Sequence, residues 1–438
     1  MSKKYFLLSL GCSKNTVDSQ SMAQLLDEAG YAAVDDASQA SVLIVNTCGF
    51  IDAARAESYA ALQELAATKR TGQVLLAAGC LPQRHGPQVQ QTLPGVDGIL
   101  STREWANIVP CVEELLGVEP GAAIRPPCAA SVVSPMPRRA RGPSAYLKIA
   151  DGCSAPCAFC AIPAIKGPQR SKPRSAISAE ARQLVAAGTR EIILIAQDTT
   201  AYGRDLGESD GLPALLEELL VVVPRLPWLR LMYAYPQHIT PRLIETMAAH
   251  PQVCHYLDLP LQHAHPATLR RMRRSPDVAC VRRLIADLRR AMPDIALRTA
   301  FIVGYPGETE DEFAALLDFM TEVAFDKVGV FVYSPEEGTA AATLPDPVAH
   351  ALAEERYARA MELQRGISLA RNQMQVGRTL DVLVEGAEGK LSVGRSYRDA
   401  PEIDGYVLLS GQWPVGQLVQ ARITGALEYD LEGQVIGL

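Results

Sequence analysis

The chain has 438 residues, of which 48% are hydrophobic and 21% charged, and its formal net charge is −7. This composition is typical of a globular protein with about three domains, and the negative charge argues against a general attraction to nucleic acid. No apolar run is long enough for a transmembrane helix. The apolar stretch 5–10 after Lys3 and Lys4 faintly resembles a lipoprotein signal but is too short for one, so we expect a cytoplasmic protein whose cysteines bind metal or do chemistry.

Residues 1–118 alternate short apolar runs with helical patterns, which predicts an open parallel α/β sheet domain. Its predicted strands are 5–10, 42–45, 74–78 and 98–100, and its predicted helices are 18–29, 52–67 and 104–116. We expect Asp52 to cap the second helix with its carboxylate.

Three cysteines follow the first three predicted strands: Cys12, Cys48 and Cys80. Because the carboxyl ends of parallel strands share one edge of a sheet, the three thiols are expected to lie together there. The glycines beside them, Gly11, Gly49 and Gly79, allow tight turns. The pattern predicts an iron–sulfur cluster held by three thiolates, and the alternative is three unrelated cysteines at strand ends.

Residues 119–145 contain six prolines and four arginines, which predicts a linker or a belt between two domains. Cys128 lies in this segment, and the sequence suggests no partner for it.

The segment CSAPCAFC contains the three cysteines Cys153, Cys157 and Cys160. Such spacing lets a short loop wrap one 4Fe–4S cluster and leaves one iron without a protein ligand. The aromatic Phe159 can cover the cluster. Buried core cysteines and a zinc site are the alternatives, although no further Cys or His follows within twenty residues. The spacing resembles the signature of the radical S-adenosylmethionine (SAM) enzymes.

Residues 146–370 alternate strand and helix signals again, which predicts a partial barrel of six β/α units. The predicted strands are 146–149, 191–195, 229–233, 256–259, 295–303 and 327–333. Side chains just past strand ends should ring the mouth of the barrel, where ligands bind. On this ground Gln197, Gln262, His263 and Gly304 are candidate SAM or mouth residues, although a strand-end histidine is as often structural.

Residues 371–438 switch to short runs rich in β-branched residues with Gly turns, which predicts a small antiparallel β-barrel. The predicted strands are 379–384, 390–396, 405–409 and 418–426. Six basic and nine acidic residues give this part a charge of −3. A barrel that binds RNA should be basic, so the charge fits a basic protein partner better.

The order of these parts resembles the methylthiotransferase family of radical SAM enzymes, which carry an N-terminal cluster domain, a radical SAM core and a TRAM domain. Local stretches are similar to the branch that modifies an aspartate of small-subunit ribosomal protein S12. They include SLGCSKNTVDS, NTCGFIDAARAES, CSAPCAFCAIP, EIILIAQDTTAYG, YLDLPLQHAH and RTAFIVGYPGET. One departure is Lys166, where the family usually has arginine, which puts any bidentate contact there in doubt.

The resemblance implies two 4Fe–4S clusters, one held by Cys12, Cys48 and Cys80 and the other by Cys153, Cys157 and Cys160. It also implies that SAM binds the open iron of the second set and yields a 5′-deoxyadenosyl radical. That radical would take a hydrogen from the aspartate β-carbon, and a methylthio group carried on the first set would replace it. An electron donor such as a flavodoxin is expected.

Two other functions remain open at this point. The chain could modify an isopentenylated adenosine of tRNA, as another branch of the family does, or it could be an iron–sulfur electron carrier or sensor without catalysis.

An arginine-rich patch could contact ribosomal RNA, but we expect solvated helix faces with ordinary ion pairs. Its members are Arg270, Arg271, Arg273, Arg274, Arg282, Arg283, Arg289 and Arg290. Buried packing is expected for the remaining cysteines Cys111, Cys254 and Cys280 and, by default, for Cys128.

Overall fold

The computed structural model describes residues 3–117, 138 and 142–437. The predicted linker, with Cys128, therefore lies almost wholly outside the described residues. Within them, no helix is long and apolar enough to cross a membrane.

The N-terminal domain is a parallel sheet, as the sequence predicted, with the strand order β2-β1-β3-β4-β5; the short edge strand β2 was not among the four predicted strands. Its strands are β1 (Lys4–Ser9), β2 (Ala32–Ala33), β3 (Val42–Thr47), β4 (Val74–Gly79) and β5 (Gly98–Ser101). Its helices are α1 (Ser13–Glu28), α2 (Asp52–Thr68), α3 (Cys80–Thr92) and α4 (Ile108–Leu115). Strand β3 is buried along its whole length, because both of its neighbours are strands and helices cover both faces.

Two details of this domain differ from the prediction. Asp52 is the first residue of α2 rather than its cap: Ile51 takes the cap position, and no side chain caps the helix. The carboxylate of Asp52 instead pairs with Arg55 one turn later and lies in the first turn, where a negative charge favours the helix dipole. Helix α3, which begins at Cys80, was not predicted from the sequence, because its prolines and its glycine are residues that disfavour helices.

The central domain is a six-stranded parallel sheet with the order β13-β12-β11-β10-β9-β6, which confirms the open partial barrel. Its strands are β6 (Ser144–Lys148), β9 (Glu191–Ile195), β10 (Trp228–Leu231), β11 (Val253–Asp258), β12 (Ala296–Val303) and β13 (Lys327–Val332), and the short pair β7 (Ala150–Asp151) and β8 (Arg170–Ser171) stands apart. Its helices are α5 (Ile162–Lys166), α6 (Arg174–Ala186), α7 (Gly211–Val222), α8 (Pro241–Ala249), α9 (Pro266–Arg271), α10 (Val278–Ala291), α11 (Glu310–Val323) and α12 (His350–Gln373).

The C-terminal domain is a closed five-stranded barrel. Its strands are β14 (Thr379–Glu388), β15 (Leu391–Ser396), β16 (Val407–Ser410), β17 (Leu418–Ala426) and β18 (Leu431–Gly437). The pairs are antiparallel except β16 with β18, which are parallel. Strand β18 was not predicted, since only three of its seven residues are apolar and they do not alternate regularly with polar ones.

The central barrel is filled from both ends by its neighbours. Alternate residues of β9 point to opposite faces, and Ile193 and Ile195 face the barrel interior. Val17 of α1 and Leu383 of β14 join the same apolar cluster. The N-terminal domain thus packs at the mouth of the barrel, and the C-terminal domain covers the opposite end.

A buried ionic network joins the C-terminal domain to the start of β9. Glu191 is fully buried and accepts hydrogen bonds from Arg230 Nε at 2.6 Å, Arg395 Nη2 at 2.6 Å and Ser144 Oγ at 2.7 Å. Burial alone would raise the pKa of Glu191, but Arg230 and Arg395 outweigh it and lower that pKa to about 2. Because Arg395 belongs to β15, this carboxylate connects two domains.

Candidate active site

Six cysteines from two domains line one cavity of about 330 Å3. Cys12, Cys48 and Cys80 come from the N-terminal domain, and Cys153, Cys157 and Cys160 come from the central domain. The cavity therefore lies where the carboxyl edge of the N-terminal sheet meets the mouth of the barrel. Both sets of thiols that the sequence singled out face the same space.

The N-terminal thiols are held by tight backbone packing at the strand ends. Cys12 caps α1, Cys48 follows β3, and Cys80 opens α3. Gly11 has a φ of +91°, and a Cβ atom there would lie 2.8 Å from the Cβ of Cys48. A side chain at Gly49 would lie 2.9 Å from the Cα of Leu81, so glycine is required at both positions for the turns to approach one another.

Asn15 ties the same edge together from the first turn of α1. Its Nδ2 donates to the carbonyl oxygens of Leu10 and Thr47, each at 3.0 Å. Cys80 Sγ donates to its Oδ1 at 3.7 Å. One fully buried side chain thus links the ends of β1 and β3 to the third cysteine.

The central thiols lie on an irregular loop that begins after β7. Gly152, with a φ of +72°, packs so closely on the carbonyl oxygen of Pro168 that a Cβ atom would come within 2.2 Å. The backbone N–H of Cys153 donates to the carbonyl of Gly167 at 3.0 Å, and that of Ala158 donates to Met272 at 3.0 Å. These bonds fix both ends of the loop on the barrel.

Arg274 lies against this loop. Its Nη1 donates to Cys157 Sγ at 3.6 Å, and its Nη2 donates to the carbonyl of Pro260 at 2.6 Å. The guanidinium also stacks on Tyr235, 4.0 Å from the ring centroid. The members of the arginine-rich patch therefore differ in role. Four of them pair with carboxylates, as predicted: Arg271, Arg282, Arg283 and Arg290. Arg274 instead belongs to the site.

Burial dominates the acidity of the thiols. It raises the pKa of Cys80 and of Cys160 to about 12, and it also raises the pKa of Cys48 and Cys153. Such thiols are poor nucleophiles in the free protein. A bound metal removes the proton from a coordinating thiol outright, so these side chains suit coordination rather than nucleophilic catalysis.

Beneath the cavity, two lysines share two carboxylates. Lys166 Nζ lies 3.1 Å from Asp18 and 3.7 Å from Asp151, and Lys148 pairs with the same two residues. Burial alone would lower the pKa of Lys166, but Asp151 and Asp18 outweigh it and raise that pKa. Since α1 supplies Asp18 and the central domain supplies the rest, the network locks the two domains together beside Cys80.

Lys14 and Tyr233 form a second contact between the domains. The Lys14 ammonium lies 2.9 Å from the centroid of the Tyr233 ring, and the Tyr233 hydroxyl lies 3.2 Å from Ser13 Oγ. Tyr233 has a φ of +62°, an unfavourable conformation for a tyrosine, which its N–H bond to Asp258 at 3.2 Å helps to hold. Both Lys14 and Tyr233 line the cavity.

The four candidate mouth residues fall into two pairs. Gln197 and Gln262 line the cavity. His263 and Gly304 do not: His263 Nε2 lies 3.0 Å from buried Glu308, and the Gly304 N–H donates to the same carboxylate at 2.6 Å. His263 and Gly304 therefore connect the loops after two barrel strands through Glu308, outside the cavity lining.

The sequence predicts no role for Lys14 or Asn15, and it predicts a solvated helix face for Arg274. A usable signal existed for the first two, because they follow Cys12 by two and three residues at the edge where ligands bind. No such signal existed for Arg274, which reads as one of four arginines in the stretch 270–274.

The donor set fits iron–sulfur clusters. Each domain offers three thiols to the cavity, and in residues 3–117 and 142–437 no three His, Cys, Asp or Glu side chains are grouped tightly enough to hold a single metal ion. Thiolates are the usual ligands of iron–sulfur clusters. The other cysteines of the described residues lie elsewhere: Cys254 is buried in the barrel core, Cys111 packs with the N-terminal core, and Cys280 is exposed on α10, where burial was expected.

Comparison with known families matches the three domains in turn. Residues 4–101 match the uncharacterized protein family UPF0004, residues 147–320 match the Radical SAM superfamily, and residues 376–436 match the TRAM domain.

Full-length relatives share about half of the sequence. A protein of Roseiflexus sp. (strain RS-1) is 53% identical over 99% of this chain and 97% of its own length, and one of Chloroflexus aurantiacus is 52% identical over 99% and 100%. A protein of Geobacter sulfurreducens is 43% identical over 99% of both chains. All three are named ribosomal protein uS12 methylthiotransferase RimO.

Among solved structures, a radical SAM methyltransferase of Kitasatospora setae, TsrM, is similar to this chain with a TM-score of 0.60. The two are 14% identical, and the similarity covers 84% of this chain and 89% of TsrM. At this identity the similarity concerns the fold alone.

Proposed function

Because this chain belongs to the family of ribosomal protein uS12 methylthiotransferases RimO, we propose that it replaces a hydrogen on the β-carbon of a uS12 aspartate with a methylthio group. It is a radical SAM transferase, and its cofactors are two 4Fe–4S clusters and SAM. The observation that carries the proposal is that two sets of three thiols, from two domains, open into one cavity.

In the proposed assignment, Cys12, Cys48 and Cys80 hold one cluster, and Cys153, Cys157 and Cys160 hold the other, each leaving one iron without a protein ligand. When bound, the clusters would pass on an electron from the donor and carry the sulfur, and SAM would supply the radical and the methyl group. The convergence of the thiols supports this assignment, because a group carried by one set must reach a substrate activated at the other.

The residues of the chain position the thiols, bind SAM and enclose the cavity. Arg274 fixes Cys157 through its N–H donor, and Asn15 fixes Cys80 relative to β1 and β3. Gln197 and Gln262, which line the cavity beside the central thiols, are proposed to bind polar groups of SAM. The apolar lining, which includes Phe159, limits the access of water to reactive intermediates.

The proposed protein partner is uS12, free or in the ribosomal subunit. The C-terminal domain supports a basic partner through its charge of −3. Arg395 and Arg398 are buried in ion pairs, but the side chains of Asp399 and Asp404 are buried as well, so the balance at the surface stays acidic. Direct RNA binding is correspondingly not favoured. We place the enzyme in the cytoplasm, with an electron donor such as a flavodoxin.

Mass spectrometry after one anaerobic reaction tests the proposal. Reconstituted protein, reductant and SAM are offered a peptide from uS12 and, in parallel, an isopentenylated tRNA. A methylthio mass gain on the peptide aspartate alone is expected. A gain on the tRNA alone would overturn the substrate, and the absence of SAM cleavage in both reactions would overturn the enzymatic function.

A further inference from the structure

We propose that Lys14 binds the carboxylate of the target aspartate and so selects an acidic side chain as the substrate of this cavity. The inference rests on the proposed function, and it names the group that would recognise the residue to be modified.

Lys14 is a buried cation that faces the cavity without an anionic partner. It is 5% exposed, and it lies in the first turn of α1, two residues after Cys12. Within residues 3–117 and 142–437 its ammonium makes no hydrogen bond or ion pair. It makes a cation–π contact with the face of the Tyr233 ring. A ring face offsets only part of the cost of removing an ammonium from water, so a carboxylate entering the cavity would complete the site.

The other cations that line the cavity are already engaged. Lys166 pairs with Asp18 and Asp151. Arg274 uses its two terminal nitrogens for Cys157 and the carbonyl of Pro260. Lys14 is therefore the cation in this lining that remains available to a substrate.

The position of Lys14 suits the chemistry of an aspartate side chain. In aspartate the β-carbon is bonded directly to the carboxyl carbon, so an ammonium that holds the carboxylate also fixes the carbon that reacts. Tyr233 is held by Ser13 and Asp258, which keeps its ring, and the ammonium above it, in one place. A neutral nucleobase offers no carboxylate to this group, so the same contact disfavours tRNA.

The test compares two peptides on four proteins. The peptides are the uS12 loop with its aspartate and the same loop with asparagine at that position, and the proteins are wild type, Lys14→Met, Lys14→Arg and Lys3→Met. Lys3 is a matched control, because its ammonium also lies over a tyrosine ring, that of Tyr31, at 5.2 Å and outside the cavity. Iron content and SAM cleavage without peptide are measured for each protein.

Wild type is expected to favour the aspartate peptide in kcat/KM by roughly 10- to 100-fold, the usual effect of a hydrogen bond to a charged group. Lys14→Met should lose that preference while it keeps its iron and its SAM cleavage. Lys14→Arg should restore part of the preference, and Lys3→Met should behave as wild type.

Two outcomes overturn the inference alone: wild type that modifies both peptides equally well, and a Lys14→Met variant that slows both by the same factor. The comparison on wild type needs no substitution and can overturn the inference by itself; if Lys14→Met does not fold, Lys14→Gln takes its place, and it should lose the preference in the same way. Wild type that modifies neither peptide, or modifies tRNA instead, would overturn the proposed function, and this inference with it.

Discussion

The buried carboxylate of Glu191 should govern how firmly the C-terminal domain is attached. Glu191→Gln removes a charge that Arg230 and Arg395 contact at 2.6 Å each, and it leaves two buried guanidinium groups without that anion. A carboxyl whose pKa falls from 4.5 to about 2 on folding contributes about 3 kcal/mol. Breaking buried ion pairs typically costs about 3–5 kcal/mol, so the two magnitudes agree.

The sign of the pH dependence follows from the direction of the pKa shift. The folded-state pKa of Glu191 is depressed, so its contribution is fully present above about pH 4.5 and is lost as the pH falls towards 2. Wild type should therefore lose about 3 kcal/mol of unfolding free energy across this range from Glu191, and Glu191→Gln should lack that component.

Urea unfolding of both proteins under anaerobic conditions, followed by circular dichroism, measures both effects. The difference in unfolding free energy between wild type and Glu191→Gln should shrink from about 3 kcal/mol at pH 7 to about 2 kcal/mol at pH 3.5. Glu322→Gln is the matched control, since Glu322 pairs with Arg282 on the surface, where both side chains are about half exposed. Its substitution should cost at most about 1 kcal/mol. If Glu191→Gln were no more destabilising than Glu322→Gln at pH 7, the reasoning from burial would be refuted.

Three further substitutions test the site. Arg274→Gln removes the donor to Cys157, and the potential of the central cluster should fall by about 60–130 mV in an anaerobic redox titration followed by electron paramagnetic resonance; an unchanged potential would contradict the contact. Gly11→Ala brings a Cβ atom within 2.8 Å of Cys48, so iron content should drop from about eight to about four per chain, whereas eight retained irons would show that the turn can yield. Cys280→Ser should keep all the iron, because that thiol is exposed on α10, and a loss would mean that the ligand set is wrong.

The parts of the site that the sequence predicted follow from local rules. The sequence predicts that Cys12, Cys48 and Cys80 lie close together, because parallel strands place their carboxyl ends at one edge of a sheet. The spacing of Cys153, Cys157 and Cys160 is itself a structural constraint, since one short loop must present all three thiols. Both rules act within single elements or between neighbouring strands.

The rest depends on contacts between distant parts of the chain. Ser13 and Tyr233 are 220 residues apart in sequence, and no local pattern announces their contact. Arg273 has a φ of +55°, so the chain turns sharply after α9. The sequence of the arginine-rich stretch predicts a helix there and gives no sign of this turn. His263 was chosen for its position after a strand, but its buried bond to Glu308 turns it away from the cavity, and a strand-end position alone does not show which way a side chain points.

Helix α1 carries Cys12 at its N-cap and Val17 inside the barrel, five residues later. At about 1.5 Å per residue, these two points are separated by roughly 7–8 Å along one rigid element. The position of Cys12 relative to the barrel interior is therefore fixed by one rigid helix. During synthesis, the N-terminal sheet can assemble its three thiols before the central domain exists, because all five of its strands lie within residues 4–101.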